Sequence, residues 1–137
     1  MIILLLLLVS LYLHCWDDFH HQGCLKEMKQ KKWWREHPQY NDMYENDYKI
    51  CMMVHAFEWT CAVHAPYVIY LIYRHAFTDC AVMITLTSMF GHLLTHARID
   101  SFKANDLAIN LVQDQAFHIC QLIMIAITNY ALINIFN

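Results

Sequence analysis

Four long stretches of this 137-residue chain carry almost no charge, and they dictate what it can fold into. Met1–Trp16, Cys80–Ala97 and Gln115–Asn137 contain no Asp, Glu, Lys or Arg, and Ile50–Tyr73 contains Glu58 alone. Each is close to the roughly 17–25 residues that a helix needs to cross a bilayer. A soluble domain of this length has no room to bury four such helices. Charged residues make up only 15% of the chain, against about a quarter in an ordinary soluble domain. With two Gly and two Pro the sequence does not read as loop-rich or disordered either. The expectation is one all-α, polytopic membrane domain over residues 1–137. Its spans should lie at about 1–20, 50–73, 78–98 and 108–134, with a hydrophilic connection at about 21–49. A soluble monomer is excluded. So is a nucleic-acid binder, since the net charge is −3 and no basic domain remains.

The amino-terminal run reads as an uncleaved first span. It lacks a basic flank, and His14, Trp16, Asp17 and Asp18 stand where a signal peptide would place small residues. The six cysteines form no C-x-x-C pair, so they are expected to be buried and reduced and to form neither a disulfide frame nor a zinc knot. Glycine is scarce for a membrane bundle, which leaves Ala and Ser to let helices approach.

Lys and Arg set the expected orientation. Eight of the nine flank or occupy the 21–49 and 99–107 loops, and Arg74 alone lies on the opposite side. Both polar loops should therefore be cytosolic and both termini outside, as in a bacterial inner-membrane protein. Tyr67, Tyr70, Tyr73, Phe77 and Tyr130 would form an outer aromatic belt. Between Cys24 and Arg35, basic residues alternate with Leu25, Met28, Trp33 and Trp34. That mixture suits a helix lying on an anionic lipid surface, as well as a plain solvated loop. His37-Pro38 should end it, with Tyr40, Tyr44 and Tyr48 following at helical spacing.

On this topology the ionisable residues coincide. His14 and Asp18, His55 and Glu58, His96 and Asp100, and Asp114 and His118 are each three or four apart, so each pair shares one helix face. Spans one and three end, and spans two and four begin, on the cytosolic side, so all four pairs fall at one depth. Ionisable groups within a membrane usually face the bundle interior and pair with one another. Imidazole and carboxylate from facing helices also hold divalent metals, and an Asp can instead orient a ligating His. The candidate ligands are His14, Asp18, His55, His96, Asp100, Asp114 and His118. Asp18, Asp100 and Asp114 are the candidate catalytic carboxylates, while Gln22, Lys103 and Gln115 would support them from behind. Zinc is the first expectation, then manganese or iron. His64 and His75 are expected nearer the outer side.

The same residues carry a resemblance. His14-Cys-Trp-Asp-Asp18-Phe19-His-His-Gln22 resembles the H-x-x-x-D-F-x-x-Q opening of the DUF3307 family of small bacterial and phage membrane proteins. Lys29-Gln-Lys-Lys-Trp-Trp34 is similar to that family's K-Q-K-x-W stretch, and His55-Ala-Phe-Glu-Trp59 to its H-x-F-x-W segment. His96-Ala-Arg-Ile-Asp100-Ser-Phe-Lys103-Ala-Asn105 resembles H-x-x-x-D-x-x-K-A-N. Ile109-Asn-Leu-Val-Gln-Asp114-Gln115-Ala-Phe-His118 resembles I-N-L-x-x-D-Q-x-x-H. Glu58 stands where the family more often has a small polar residue. The resemblance implies a polytopic helical protein and supplies no reaction.

Three functions compete at this stage. One is a metal-dependent hydrolase at the membrane surface, with Lys103, Arg98 and the basic segment receiving the phosphate of a lipid or lipid-linked substrate. Another is a non-catalytic adaptor or phage accessory protein whose His/Asp network fixes packing. The last is a metal or proton carrier, for which Pro66 would be the only helix break. Anionic membrane lipids and a second copy of the chain are the expected partners.

Overall fold

The computed structural model describes residues 1–37, 39 and 46–136, and all its regular elements are helical. They are α1 (Ile2–Trp16), which runs into a π-helical turn at Asp17–His21, then α2 (Leu25–Met28), α3 (Lys31–Glu36), α4 (Asp47–Tyr73), α5 (Asp79–Ala104) and α6 (Leu111–Ile135). Pro38, Tyr40, Tyr44 and Asn137 lie outside the described residues. Ile2–His21, α5 and α6 are long and apolar enough to cross a membrane. The α4 helix is as long, but His55, Glu58, His64 and Pro66 dilute its apolar character.

Local sequence explains where the long helices start. Thr78 caps α5 by accepting from the Ala81 amide at 3.3 Å. Asn110 and Gln113 form a reciprocal capping box, each side chain accepting from the other's backbone N–H at 3.0 Å. Two expected boundaries shift. The α5 helix extends six residues past Arg98 because Asp100 and Lys103 turn toward the bundle, so the polar loop shrinks to 105–110. Pro66 does not interrupt α4, which continues through it to Tyr73.

The α4 helix is the centre of the bundle, packed against α1 and α5 and also touching α6. Its inner face, Ala56, Trp59, Val63, Tyr67 and Leu71, is fully buried. Leu6 of α1 and Leu122 and Ile125 of α6 close around Trp59, Val63 and Tyr67. Small residues bring the helices together in place of glycine: Ser10 donates to the Val63 carbonyl at 2.8 Å, and Ala56 and Ala81 are fully buried. The outward surface is apolar, with Leu4, Leu8, Ile69, Met83 and Phe90 all exposed. Polar residues inside and apolar residues outside is the arrangement a lipid solvent selects.

Three further expectations are corrected. Tyr67 is buried in the core and is not part of an outer belt, whereas Tyr73 and Tyr130 are exposed. The cysteines are unpaired as expected, but Cys15, Cys24, Cys80 and Cys120 sit on the exposed surface, where a thiol serves as one more small apolar group. The basic stretch is two short helices separated at Lys29 and Gln30, not one continuous surface helix. Lys29 and Trp34 are buried, because Asn105 at the end of α5 grips the intervening backbone. Its side chain accepts from the Lys31 amide at 2.7 Å and donates to the Lys29 carbonyl at 3.1 Å.

Candidate metal centre

The ends of α1 and α5 meet the starts of α4 and α6, and the seven sequence-derived ligand candidates converge there. The π turn after Trp16 helps to build the first wall. Consecutive residues of an α-helix point about 100° apart, yet Asp17 and Asp18 both reach one imidazole. Asp17 Oδ2 lies 3.5 Å from His55 Nδ1, and Asp18 Oδ1 lies 3.6 Å from His55 Nε2. Such turns recur at functional sites because they re-aim side chains.

The central feature is a pair of imidazole nitrogens. His55 Nε2 and His96 Nε2 face each other at 3.3 Å, both fully buried. Two nitrogens bound to one tetrahedral zinc at about 2.0–2.1 Å are separated by about 3.3–3.4 Å. Asp100 joins the pair: its Oδ2 is 3.4 Å from His55 Nε2, and its Oδ1 is 3.8 Å from His96 Nε2 and 3.2 Å from His118 Nε2. Asp18 Oδ1 is buried and has no hydrogen-bond partner. Two groups of converging donor atoms result, Asp18–His55–His96 and His96–Asp100–His118, sharing His96. This buried His/Asp cluster can hold a metal ion.

A directed relay runs behind it. Tryptophan can only donate, so the 2.8 Å contact of Trp59 Nε1 with His14 Nδ1 leaves that nitrogen without a proton. The proton of neutral His14 is then on Nε2, which donates to Gln115 Oε1 at 3.1 Å. The Gln115 amide in turn donates to Asp18 Oδ2 at 3.0 Å and Asp114 Oδ2 at 3.1 Å. His14 therefore orients Gln115, and with both ring nitrogens engaged it offers no lone pair as a ligand. His14 belongs to neither converging group. Asp114 likewise stands behind His118, with Oδ1 3.5 Å from Nε2, and joins neither converging group. Trp59 also stacks on His96 with ring centres 4.2 Å apart, which fixes that ring.

The residues expected to support the ligands make the following contacts. Gln22 Nε2 lies 3.4 Å from His55 Nε2, and the Lys103 ammonium bonds Asp114. Sequence reasoning missed three participants. Lys29, in a segment whose composition suits a surface, donates from its buried ammonium to Asp100. Gln121 Oε1 meets His118 Nδ1 at 3.2 Å, while its amide donates to the His92 carbonyl. Asp17 was overlooked beside Asp18. A doublet of acids at a span end was the signal available for it.

Other candidates fall elsewhere. Glu58 does not share the His55 site but faces Asp17 and His21 at the periphery. Arg98 points away and pairs with Asp106 at 3.4 Å. His64 is buried within the bundle, nine residues further along α4 than His55, with its Nδ1 2.9 Å from the Thr60 carbonyl.

A cavity of about 440 Å³ opens beside the cluster, with Asp18, Gln22 and Gln115 in its wall together with Lys26, Lys29 and Lys103. No family model, curated protein or solved structure matches this chain.

Proposed function

We propose that this chain is a four-span membrane hydrolase that uses a divalent ion at the His/Asp cluster to cleave a phosphate-bearing or lipid-linked substrate. The reading is carried by one observation: His55 Nε2 and His96 Nε2 are 3.3 Å apart, with the unpartnered Asp18 Oδ1 beside them. His55, His96, His118, Asp18 and Asp100 are the residues to hold the ion. Zinc is the first choice, with manganese or iron behind it, because mixed nitrogen and oxygen donors suit all three. A bound divalent ion lowers the pKa of its water to about 7. Asp18 is the carboxylate placed to accept the proton, Asp100 bridges the imidazoles, and Asp114 holds His118 and Lys103 in position. In this proposal the site faces the cytosol of a bacterial inner membrane, both termini lie outside, anionic lipids contact the 24–36 segment, and the chain is grouped with the DUF3307 proteins it resembles. A homodimer is compatible with the apolar surface.

A second reading rests on the two lysines. Lys29–Asp100 and Lys103–Asp114 neutralise two buried carboxylates within the fold itself. A purely structural network in a non-catalytic adaptor uses these pairs and needs no metal. Metal content of the detergent-purified protein separates the two. The hydrolase reading expects about one zinc, manganese or iron per chain at neutral pH. Ligating imidazole must be neutral, so the metal should be lost on acidification. His96→Ala should purify folded and metal-free. Protein without metal at pH 7.5, even after incubation with each ion, would leave the structural network as the function of these residues.

A further inference from the structure

The cavity beside the cluster has a composition that the metal does not explain. Three lysines, Lys26, Lys29 and Lys103, and three amides, Gln22, Gln30 and Gln115, line it, with Asp18 as its one acid. Such a wall carries three ammonium groups against one carboxylate, which suits an oxyanion. Its volume suits a phosphate-sized group with room for a substituent.

The charges behind the wall add a condition. The side chains of Asp17, Asp18, Asp100 and Asp114 are almost wholly shielded from solvent, and Lys29 and Lys103 are the ammonium groups paired into that set. The carboxylates of this set outnumber its ammonium groups by two, which disfavours a dianion beside it. A divalent cation cancels that excess. It also engages Asp100, which releases the Lys29 ammonium toward the cavity that its side chain already lines. Lys26, at the exposed rim, has no carboxylate partner among the described residues and remains as net positive charge.

We infer that this cavity is a binding site for a phosphate monoester dianion, and that anion binding here and divalent-cation binding at the His55–His96 pair are mutually dependent. The inference rests on the metal reading above and extends it to the class of substrate. The rim points to one of two sources. Phe19, Leu107 and Leu111 are exposed at the cavity edge, and Leu107 holds a left-handed backbone with φ of 53° that few leucines adopt. An apolar edge beside a lysine-lined hollow fits the phosphate of an amphiphile whose chain stays in the lipid. Free phosphate shares the headgroup chemistry.

Equilibrium dialysis of the full chain in detergent tests this with two probes: zinc alone and radiolabelled inorganic phosphate, at concentrations where zinc phosphate stays dissolved. Zinc should tighten phosphate binding by about 5- to 150-fold, the usual range of coupling between sites, and phosphate should tighten zinc by the same factor. Lys26→Gln should keep zinc and lose most of the phosphate affinity. Phosphate affinity that is equal with and without zinc, in protein that does bind zinc, overturns this inference and leaves the metal reading standing. So does an unchanged phosphate affinity in Lys26→Gln. Phosphate binding by a chain that takes up no zinc overturns both. The same measurement in nanodiscs with and without phosphatidic acid identifies the source. Competition by phosphatidic acid that weakens in Phe19→Ala supports the site with a lipid headgroup in it, and phosphate binding indifferent to the lipid supports it with the free ion.

Discussion

The two ends of this bundle are held together by different physics. At one end Leu71, Ala76, Ala81 and Leu132 interlock, with Phe77 and Phe136 packed against them. That end needs only volumes that fit. At the other, four helices and the α2–α3 segment meet through His, Asp, Gln and Lys contacts, many of them 2.8–3.6 Å long. Apolar contacts tolerate small shifts, whereas each polar contact depends on a donor, an acceptor and a direction. In lipid there is little hydrophobic drive to bring helices together, so packing and polar bonds carry association. The polar end therefore specifies the arrangement, and the apolar end accommodates it.

The largest effect is expected where the polar end is most interdependent. Asp100 contacts Lys29, His55, His96 and His118 at once. Asp100→Ala leaves a buried ammonium without its carboxylate, a change that costs about 3–5 kcal/mol. Thermal unfolding in detergent should show that loss, and metal retention should disappear with it. The double variant Lys29→Met/Asp100→Asn removes both charges together and should recover most of the stability while still failing to bind metal. A single variant as stable as the parent would mean that the ion pair does not form in the folded protein.

The apolar end should respond differently. Leu71 is fully buried against Ala76, Ala81 and Leu132. Leu71→Ala opens a cavity, but much of the usual transfer penalty is absent where the alternative solvent is also apolar. A loss of about 2 kcal/mol is expected, at the low end of the range for such truncations. Zinc affinity should not change. A drop in metal binding in this variant would show that the two ends are coupled through α4, and the contrast between them would fail.

How much of this was legible in the sequence follows the same division. Periodic placement of His14, Asp18, His96, Asp100, Asp114 and His118 on helix faces, at the ends of successive apolar segments, was enough to bring those residues to one end of the bundle. Helix geometry fixes which residues share a face, and bundle connectivity fixes which ends meet. What no spacing rule conveys is the direction of a side chain that arrives from a loop. Lys29 looked like a surface cation because its neighbours Lys31 and Lys32 are basic, and only the grip of Asn105 on its backbone turns it inward. The role of His14 was hidden for another reason. A histidine becomes a ligand or an orienting group according to who donates to it, and the donor, Trp59, lies 45 residues away. The His, Thr and Tyr residues on the inner face of α4 also kept its central place from showing, because hydropathy reads composition and not which face is turned inward.

Trp59 offers the finest test of the contrast, since it makes both kinds of contact. Its ring fills the core with Leu6, Val63 and Leu122, and its N–H sets the tautomer of His14. Trp59→Phe keeps most of the apolar contact and removes the donor. The cost in stability should be small, about 1 kcal/mol for one buried hydrogen bond. The consequence for the site should be larger than that figure suggests. Once His14 Nδ1 is not obliged to accept, the ring can carry its proton on either nitrogen, and Gln115 loses the partner that holds its amide toward Asp18 and Asp114. Loss of a group that orients metal ligands from behind typically lowers affinity by about 10–100-fold. Zinc titration should show such a weakening in Trp59→Phe with an almost unchanged melting temperature. If affinity and stability instead fall together, Trp59 acts only through packing, and the relay from Trp59 through His14 to Gln115 carries no orienting role.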